Sequence, residues 1–244
     1  MNIYVLRTAH ELSGATHRKE MRGLLSYRAH GNILMSERLP ADVYSDALVI
    51  SSGGMDTHIT PSVYDECRRR QASSVFLDAD ETDGKISHIL SEVSASLARR
   101  GISVFCPFSL CDEESAGPVA ELSVSGGDIT EYLAHMTASR RRLALSVPRR
   151  CAEFSMPVFT ASGKSLSVRE CRSLIERFDA KVYFSPQMAV NYFIFSPENG
   201  DARFVLFDDA RTVSEKLRIA RKAGITDVFL AYREIADIYG EIMF

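Results

Sequence analysis

Tryptophan is absent from the 244 residues, so the largest flat platform for stacking on a ligand is not available to this chain. No apolar stretch approaches the roughly 18 residues that span a bilayer. Met1 to Arg7 leads straight into a strand-like run without a signal-peptide pattern, which points to a cytoplasmic protein with no membrane partner. Neither sign of charge dominates. With 29 basic and 32 acidic residues the net charge is −3, and the two are mixed along the chain, so no footprint for nucleic acid is visible. Arg140, Arg141 and Arg142 read as a solvated helix end. Paired cysteine spacing is also missing. Cys67, Cys106, Cys111, Cys151 and Cys171 are odd in number with no CxxC, which argues against a disulfide framework or a structural zinc site. His10, His17, His30, His58, His88 and His135 show no HExxH spacing, and neither a metal nor a cofactor is expected.

What is present is an ordinary globular composition, 45% apolar and 25% charged, enough for a sizeable core in one domain over residues 1–244. Eight β-rich runs alternate with helical patterns: Asn2 to Leu6, Asn32 to Met35, Ala47 to Ser51, Ser74 to Ala79, Ser103 to Phe108, Glu121 to Ser125, Leu143 to Val147 and Thr226 to Ala231. Runs such as Ala47-Leu48-Val49-Ile50 are continuously apolar, as buried parallel strands require. Thr60-Pro61 reads as an N-cap before a proline, and Asp128-x-x-Glu131, Ser167-x-x-Glu170 and Thr212-x-x-Glu215 have capping-box spacing. Apolar residues from Ile86 to Leu97 recur at helical spacing with Gly101 as a stop, and Gly224 ends a helix over Val213 to Ala223. Between about 149 and 209 the alternation breaks. Here a helix near Val168 to Phe178 precedes a strand at Lys181 to Phe184 and a hairpin, Tyr192 to Phe195 with Arg203 to Phe207. The pattern predicts an α/β fold, a (β/α)8 TIM barrel with a small hairpin-bearing insertion before the last helix and its chemistry at the strand C-termini. A doubly wound open sheet is the alternative.

Three segments carry a further signal. The first is Ser51-Ser52-Gly53-Gly54 at the end of an apolar strand, and the second is Ser73-Ser74-Val75-Phe76-Leu77-Asp78-Ala79-Asp80. The third joins Tyr183 to Tyr192 with Phe204 to Leu217, Ala223-Gly224-Ile225 and a final strand. In this order they resemble glycoside hydrolase family 18, the chitinase-like barrels, and especially its spore-cortex and peptidoglycan-lytic branch. The resemblance covers roughly residues 47 to 235. It implies an SxGG on the third strand and the acidic DGxDxDxE motif on the fourth, here reduced to Asp78, with Phe76 in place of an aspartate and Asp80 at the position of the catalytic glutamate.

Residues two apart on a strand share a face, so Phe76, Asp78 and Asp80 would point into the barrel mouth, while Glu81 would point away or lie in the following loop. The mechanism the resemblance implies is substrate-assisted. One protonated carboxyl, here Asp80, donates to the glycosidic oxygen, the substrate's acetamido carbonyl attacks the anomeric carbon, and Asp78 stabilises the cation. Asp78 would also raise the pKa of Asp80. Shortening Glu to Asp withdraws the acid by about 1.5 Å, and misplacement of about 1 Å can cost on the order of 100-fold in rate. The family's sixth-strand tyrosine-aspartate pair falls near Ser125-Gly126, and its last-strand Trp falls near Ala231. The expectation is a catalytically impaired protein that binds an N-acetylglucosamine-containing glycan of chitin or peptidoglycan type. Ser51, Gly53, Gly54, Gln187 and Tyr232 would be its binding residues, with Tyr183, Asn191 and Tyr192 beside them. The alternative is a weakly active glycosidase using Asp80.

A different chemistry fits part of the same segment. Val75 to Thr82 matches hhhDxDxT, the first motif of haloacid dehalogenase-type phosphatases, in which Asp78 would attack phosphorus, Asp80 would act as acid and base, and magnesium would bridge carboxylate and phosphate. Asp208-Asp209 would mimic that family's late acidic motif. About three strand-like runs precede Asp78, whereas that motif belongs on a first core strand.

Overall fold

Apolar runs bounded by turn residues become strands here, and each buries its two alternating faces against different partners. The computed structural model describes residues 1–7, 21–36, 44–79, 85–112, 114–122, 127–139, 142–156, 163–198 and 200–243. The elements run β1 (Asn2–Arg7), β2 (Met21–Gly31), β3 (Ile33–Met35), β4 (Ala47–Met55), α1 (Thr60–Arg70), β5 (Ser74–Asp78), α2 (Ile86–Ala98), β6 (Ser103–Pro107) and β7 (Gly117–Glu121). They continue with α3 (Ile129–Ser139), β8 (Ala144–Ser146), β9 (Cys151–Ser155), β10 (Lys164–Ser165), α4 (Val168–Arg177), β11 (Tyr183–Ser185), β12 (Val190–Phe195), β13 (Arg203–Phe207), α5 (Ala210–Lys222), β14 (Asp227–Ala231) and α6 (Tyr232–Ile235).

Eight parallel strands close into a barrel in the order β1, β2, β4, β5, β6, β7, β8, β14, with β14 pairing back onto β1. The fold is a (β/α)8 TIM barrel. A ninth strand, the short β3, pairs antiparallel with β2 outside the ring. None of the described helices is long and apolar enough to cross a membrane.

The chain divides into two compact units. The first holds Met1–Glu121, Thr137–Ser146 and Ile225–Arg233, and with them the whole barrel. Alternation along its strands sorts the core. Leu25, Tyr27, Leu48, Ile50, Val75 and Leu77 point outward and pack with Val63 and Cys67 of α1 and Leu90 and Val93 of α2. Ala47, Val49, Tyr4, Phe105, Val119 and Phe229 point inward and fill the lumen. Phe229 is the hub of that filling: Tyr4 stacks on it at 5.1 Å, Phe76 lies at 5.2 Å and Phe105 meets it edge-on at 5.3 Å.

The second unit holds Leu122–Met136, Val147–Gly224 and Glu234–Phe244. Its five-stranded antiparallel sheet runs β10-β9-β13-β12-β11, and the expected hairpin is its β12–β13 pair. Phe193, Phe195 and Val205 on one face pack with Cys171 and Leu174 of α4. Ser167 caps α4 in the expected capping box with Glu170.

Four local expectations are corrected. The second barrel strand is not Asn32 to Met35 but β2, and Ile33–Met35 is its hairpin partner. The sixth is not Glu121 to Ser125 but Gly117–Glu121. The last long helix begins one turn before Thr212: Asp209 is its N-cap and accepts from Thr212 N at 2.9 Å, while Thr212 Oγ1 accepts from Asp209 N at 2.9 Å. Thr60 is likewise inside α1, after an Ile59 that makes no side-chain cap.

Candidate active site at the barrel strand ends

The inner face of the barrel rises from apolar to polar along each strand. On β5, Phe76 belongs to the aromatic filling and Asp78, two residues on, is exposed at the strand end. On β4, Val49 is in the filling and Ser51 follows it, in register beside Asp78. Ser51 Oγ donates to Tyr27 O of β2 at 3.2 Å, so the hydroxyl is fixed by the neighbouring strand. The SxGG motif therefore does two things. It presents Ser51 next to Asp78, and it lets the backbone turn, since Gly54 has φ +100°, a conformation side chains other than hydrogen resist. Gly53 lies on the same strand. Just beyond, the His58 backbone N–H donates to Asp56 at 2.9 Å and holds that carboxyl below the usual range.

Asp80 and Glu81 lie outside the described residues, as do Ser125 and Gly126. The side chain that would act as acid is thus not part of the observed geometry, whereas Asp78 is. Phe76, two residues before Asp78 on the same strand, lies with its ring 5.2 Å from Phe229 in the aromatic filling. Tyr232 follows β14 and is half-buried, with the Arg7 guanidinium 5.1 Å above its ring.

Two residues at this end escaped the sequence reading. Arg28 of β2 stands in register with Ser51 and alternates with the outward Tyr27 and Ala29, so Arg28, Ser51 and Asp78 form a row across three strands. Glu121 ends β7 two residues past the inward Val119 and is exposed. Alternation of Leu25, Tyr27 and Ala29 with polar residues is the sequence signal for Arg28. Glu121, which the sequence pattern places at the start of a strand, stands at the end of one.

The other expected residues belong to the second unit. Gln187 is exposed, and its carbonyl accepts from Ile129 N at 2.8 Å. Tyr183 is 45% exposed and stacks on Tyr192 at 5.5 Å, which in turn lies 5.5 Å from Phe204. Asn191 is buried, and its amide donates to Asp209 Oδ2 at 2.7 Å, so it serves the helix cap. The acidic pair is structural as well. Asp208 is 3% exposed and accepts from Lys216 Nζ on both oxygens at 2.7 Å, from Thr212 Oγ1 at 2.9 Å and from Arg150 N at 2.9 Å. Every oxygen of that carboxylate is occupied by protein donors, and no group of three or more metal-ligating side chains occurs among the described residues.

No protein-family model and no curated protein matches the sequence. Solved structures do match in fold. A chitinase from Chromobacterium violaceum superposes with a TM-score of 0.61 at 11% identity, over 94% of this chain and 93% of that one. The spore cortex-lytic enzyme SleL of Bacillus megaterium gives 0.60 at 9% identity, over 95% and 70%. A GH18 chitinase from Cycas revoluta, solved in complex with (GlcNAc)3, gives 0.58 at 13% identity, over 97% and 96%. The chain shares the TIM-barrel fold of these glycoside hydrolases.

Proposed function

We propose that this protein is a divergent glycoside hydrolase family 18-like barrel that binds an N-acetylglucosamine-containing glycan and is catalytically impaired. The reading takes residues 1–244 as one barrel domain carrying 149–209 as an insertion. The observation that carries it is the row at the strand ends, with Asp78 closing the fourth barrel strand beside Ser51 on the third, in a fold shared with chitinases and cortex-lytic enzymes. Asp80 stands where the acid belongs but is one methylene short. Phe76 removes a carboxyl from the column below, and the chain has no Trp to floor a sugar. Each loss removes a different transition-state interaction, so together they leave binding with little turnover. Gly53 and Gly54 let the backbone approach a ligand, and Tyr232 adds a ring.

The test is an assay on acetylated glycan oligomers and peptidoglycan fragments, reading reducing ends and product masses for wild type, Asp80→Asn and Asp80→Glu. Negligible wild-type turnover and a gain in Asp80→Glu are expected. Robust wild-type turnover that vanishes in Asp80→Asn would establish the substrate-assisted glycosidase instead. Magnesium-dependent hydrolysis of a phosphomonoester, lost in Asp78→Asn, would replace both. Binding is read separately, as a melting-temperature rise with millimolar N-acetylglucosamine oligomers that is lost in Asp78→Ala and Tyr232→Ala.

A further inference from the structure

A groove of about 390 Å³ runs along α5 within the second unit, between that helix, Phe184 of β11 and Met243 near the end of the chain. Helical spacing gathers Arg211, Glu215, Arg218 and Arg221 on one face of α5. Leu217, only 1% exposed, adds apolar surface between them, together with the half-buried Phe184 and with Met243. The groove is built rather than loose. Met243 N donates to Ser214 Oγ of α5 at 2.9 Å and the preceding Ile242 is fully buried, while the Arg211 guanidinium lies 4.4 Å over the Phe184 ring.

Charge along the groove is unbalanced. Arg218 Nε donates to Glu215 Oε2 at 2.6 Å and its second guanidinium arm donates to Oε1, so those two charges cancel. Glu215 is the only carboxylate among the described residues that line the groove, and Arg211 and Arg221 are exposed and form no ion pair with a described residue. We propose that this groove binds an extended acidic peptide, with a carboxylate on Arg211, a second on Arg221 and an apolar side chain between them against Leu217 and Met243.

Spacing selects that class of partner. Ten residues of helix put the two open guanidiniums about 15 Å apart, so they bracket the apolar stretch and do not converge on one small anion. A volume of about 390 Å³ along that length has room for one extended chain and none for a folded surface. An extended chain rises about 3.3 Å per residue with alternate side chains on one side, so an acid, an apolar residue and an acid at positions i, i+2 and i+4 face the groove over about 13 Å. The long arginine arms take up the difference. Single-stranded nucleic acid fits less well, since it binds by stacking bases on open aromatic faces, and Phe184, the ring that lines the groove, already carries Arg211 over a face. The proposal stands apart from the glycan reading and shares no residue with it.

The full chain is titrated against a fluorescein-labelled peptide, Gly-Asp-Ser-Leu-Ser-Asp-Gly, with binding read as fluorescence anisotropy at low salt. Saturable binding is expected, weakened about two- to fivefold in Arg211→Gln and in Arg221→Gln, as for exposed ion pairs, and about tenfold in the double variant. Arg169→Gln, an exposed arginine of α4 outside the groove, should leave it unchanged. Peptides with Asn for both Asp residues, or with Ser for Leu, should bind more weakly to the wild-type chain, and added salt should weaken the acidic peptide most. Equal affinity for the Asn peptide, undiminished affinity in the double variant, tighter binding of oligothymidylate, or no saturation by the acidic peptide at millimolar concentration overturns the proposal. The peptide series is compared on the wild-type chain, so that result stands whether or not an arginine variant folds.

Discussion

Two arginines and a tyrosine converge on the Glu66 carboxylate. It lies on α1 under the outer face of β2, where Tyr27 Oη donates to it at 2.5 Å, Arg70 Nε at 2.9 Å and Arg69 Nε at 2.8 Å. Arg70 is 1% exposed, so its guanidinium has exchanged water for protein partners, Glu66 among them. Removing one partner from a buried ion pair leaves an uncompensated charge, and Glu66→Ala should cost about 3–5 kcal/mol in urea unfolding at neutral pH. The same site makes stability depend on acid. Burial alone would raise the Glu66 pKa, but the hydrogen bonds from Tyr27, Arg70 and Arg69 outweigh it and hold the carboxyl below its ordinary value. A depressed folded pKa contributes stability in full above the unfolded value of about 4.3, and that contribution is lost as pH falls through the folded pKa. Unfolding free energy measured from neutral to acid pH should fall less steeply in Glu66→Gln than in wild type. An unchanged acid limb would show that other carboxylates set it.

At the scale of elements, two helix starts offer a controlled comparison. Ser167 caps α4 at an exposed end, and Ser167→Ala should cost about 1 kcal/mol. Asp209 caps α5 and also accepts from the buried Asn191 amide. Asp209→Ala should therefore cost more, by about the 1–3 kcal/mol of an unsatisfied buried donor, and restoring the gap with Asn191→Leu in the same chain should recover part of it. Equal costs in chemical denaturation would show that water replaces Asp209 at Asn191. Most strands could be read from continuous apolar runs, since strands between helices and a packed lumen are apolar on both faces. β2 could not, because Ser26, Arg28 and His30 are exposed and alternate with the buried Leu25, Tyr27 and Ala29. β7 begins Gly117-Pro118, two residues that strands generally avoid. Gly117 is needed there because a Cβ would sit 3.1 Å from the Phe105 ring and 3.2 Å from Arg142 O. A strand that opens this way is not legible as one, and the apolar pattern places Glu121 at a strand start. Ser51 and Asp78 lie on strands legible in the sequence, whereas Arg28 and Glu121 lie on strands that are not.

For the molecule as a whole, the barrel is a filled cylinder whose filling depends on one ring. Phe229 of the eighth barrel strand touches rings from the first, fourth and fifth. Phe229→Ala should cost about 3–5 kcal/mol by leaving a cavity, and Phe229→Leu distinctly less, as read from melting curves. A cost below about 1 kcal/mol would mean that the neighbouring rings close the space. Closure of the ring also deprives eight strands of any free edge, and β3, which continues their sheet outside it, reverses that gain. β3 continues the sheet beyond β2 and has no second partner among the described strands, with Ile33 58% and Met35 46% exposed. Unpaired amides and carbonyls flanked by exposed apolar side chains are the template on which another chain can add a strand and begin to aggregate. Three residues at about 3.4 Å each give a template only about 10 Å long, so the brevity of β3 is what guards this barrel against growth from that edge.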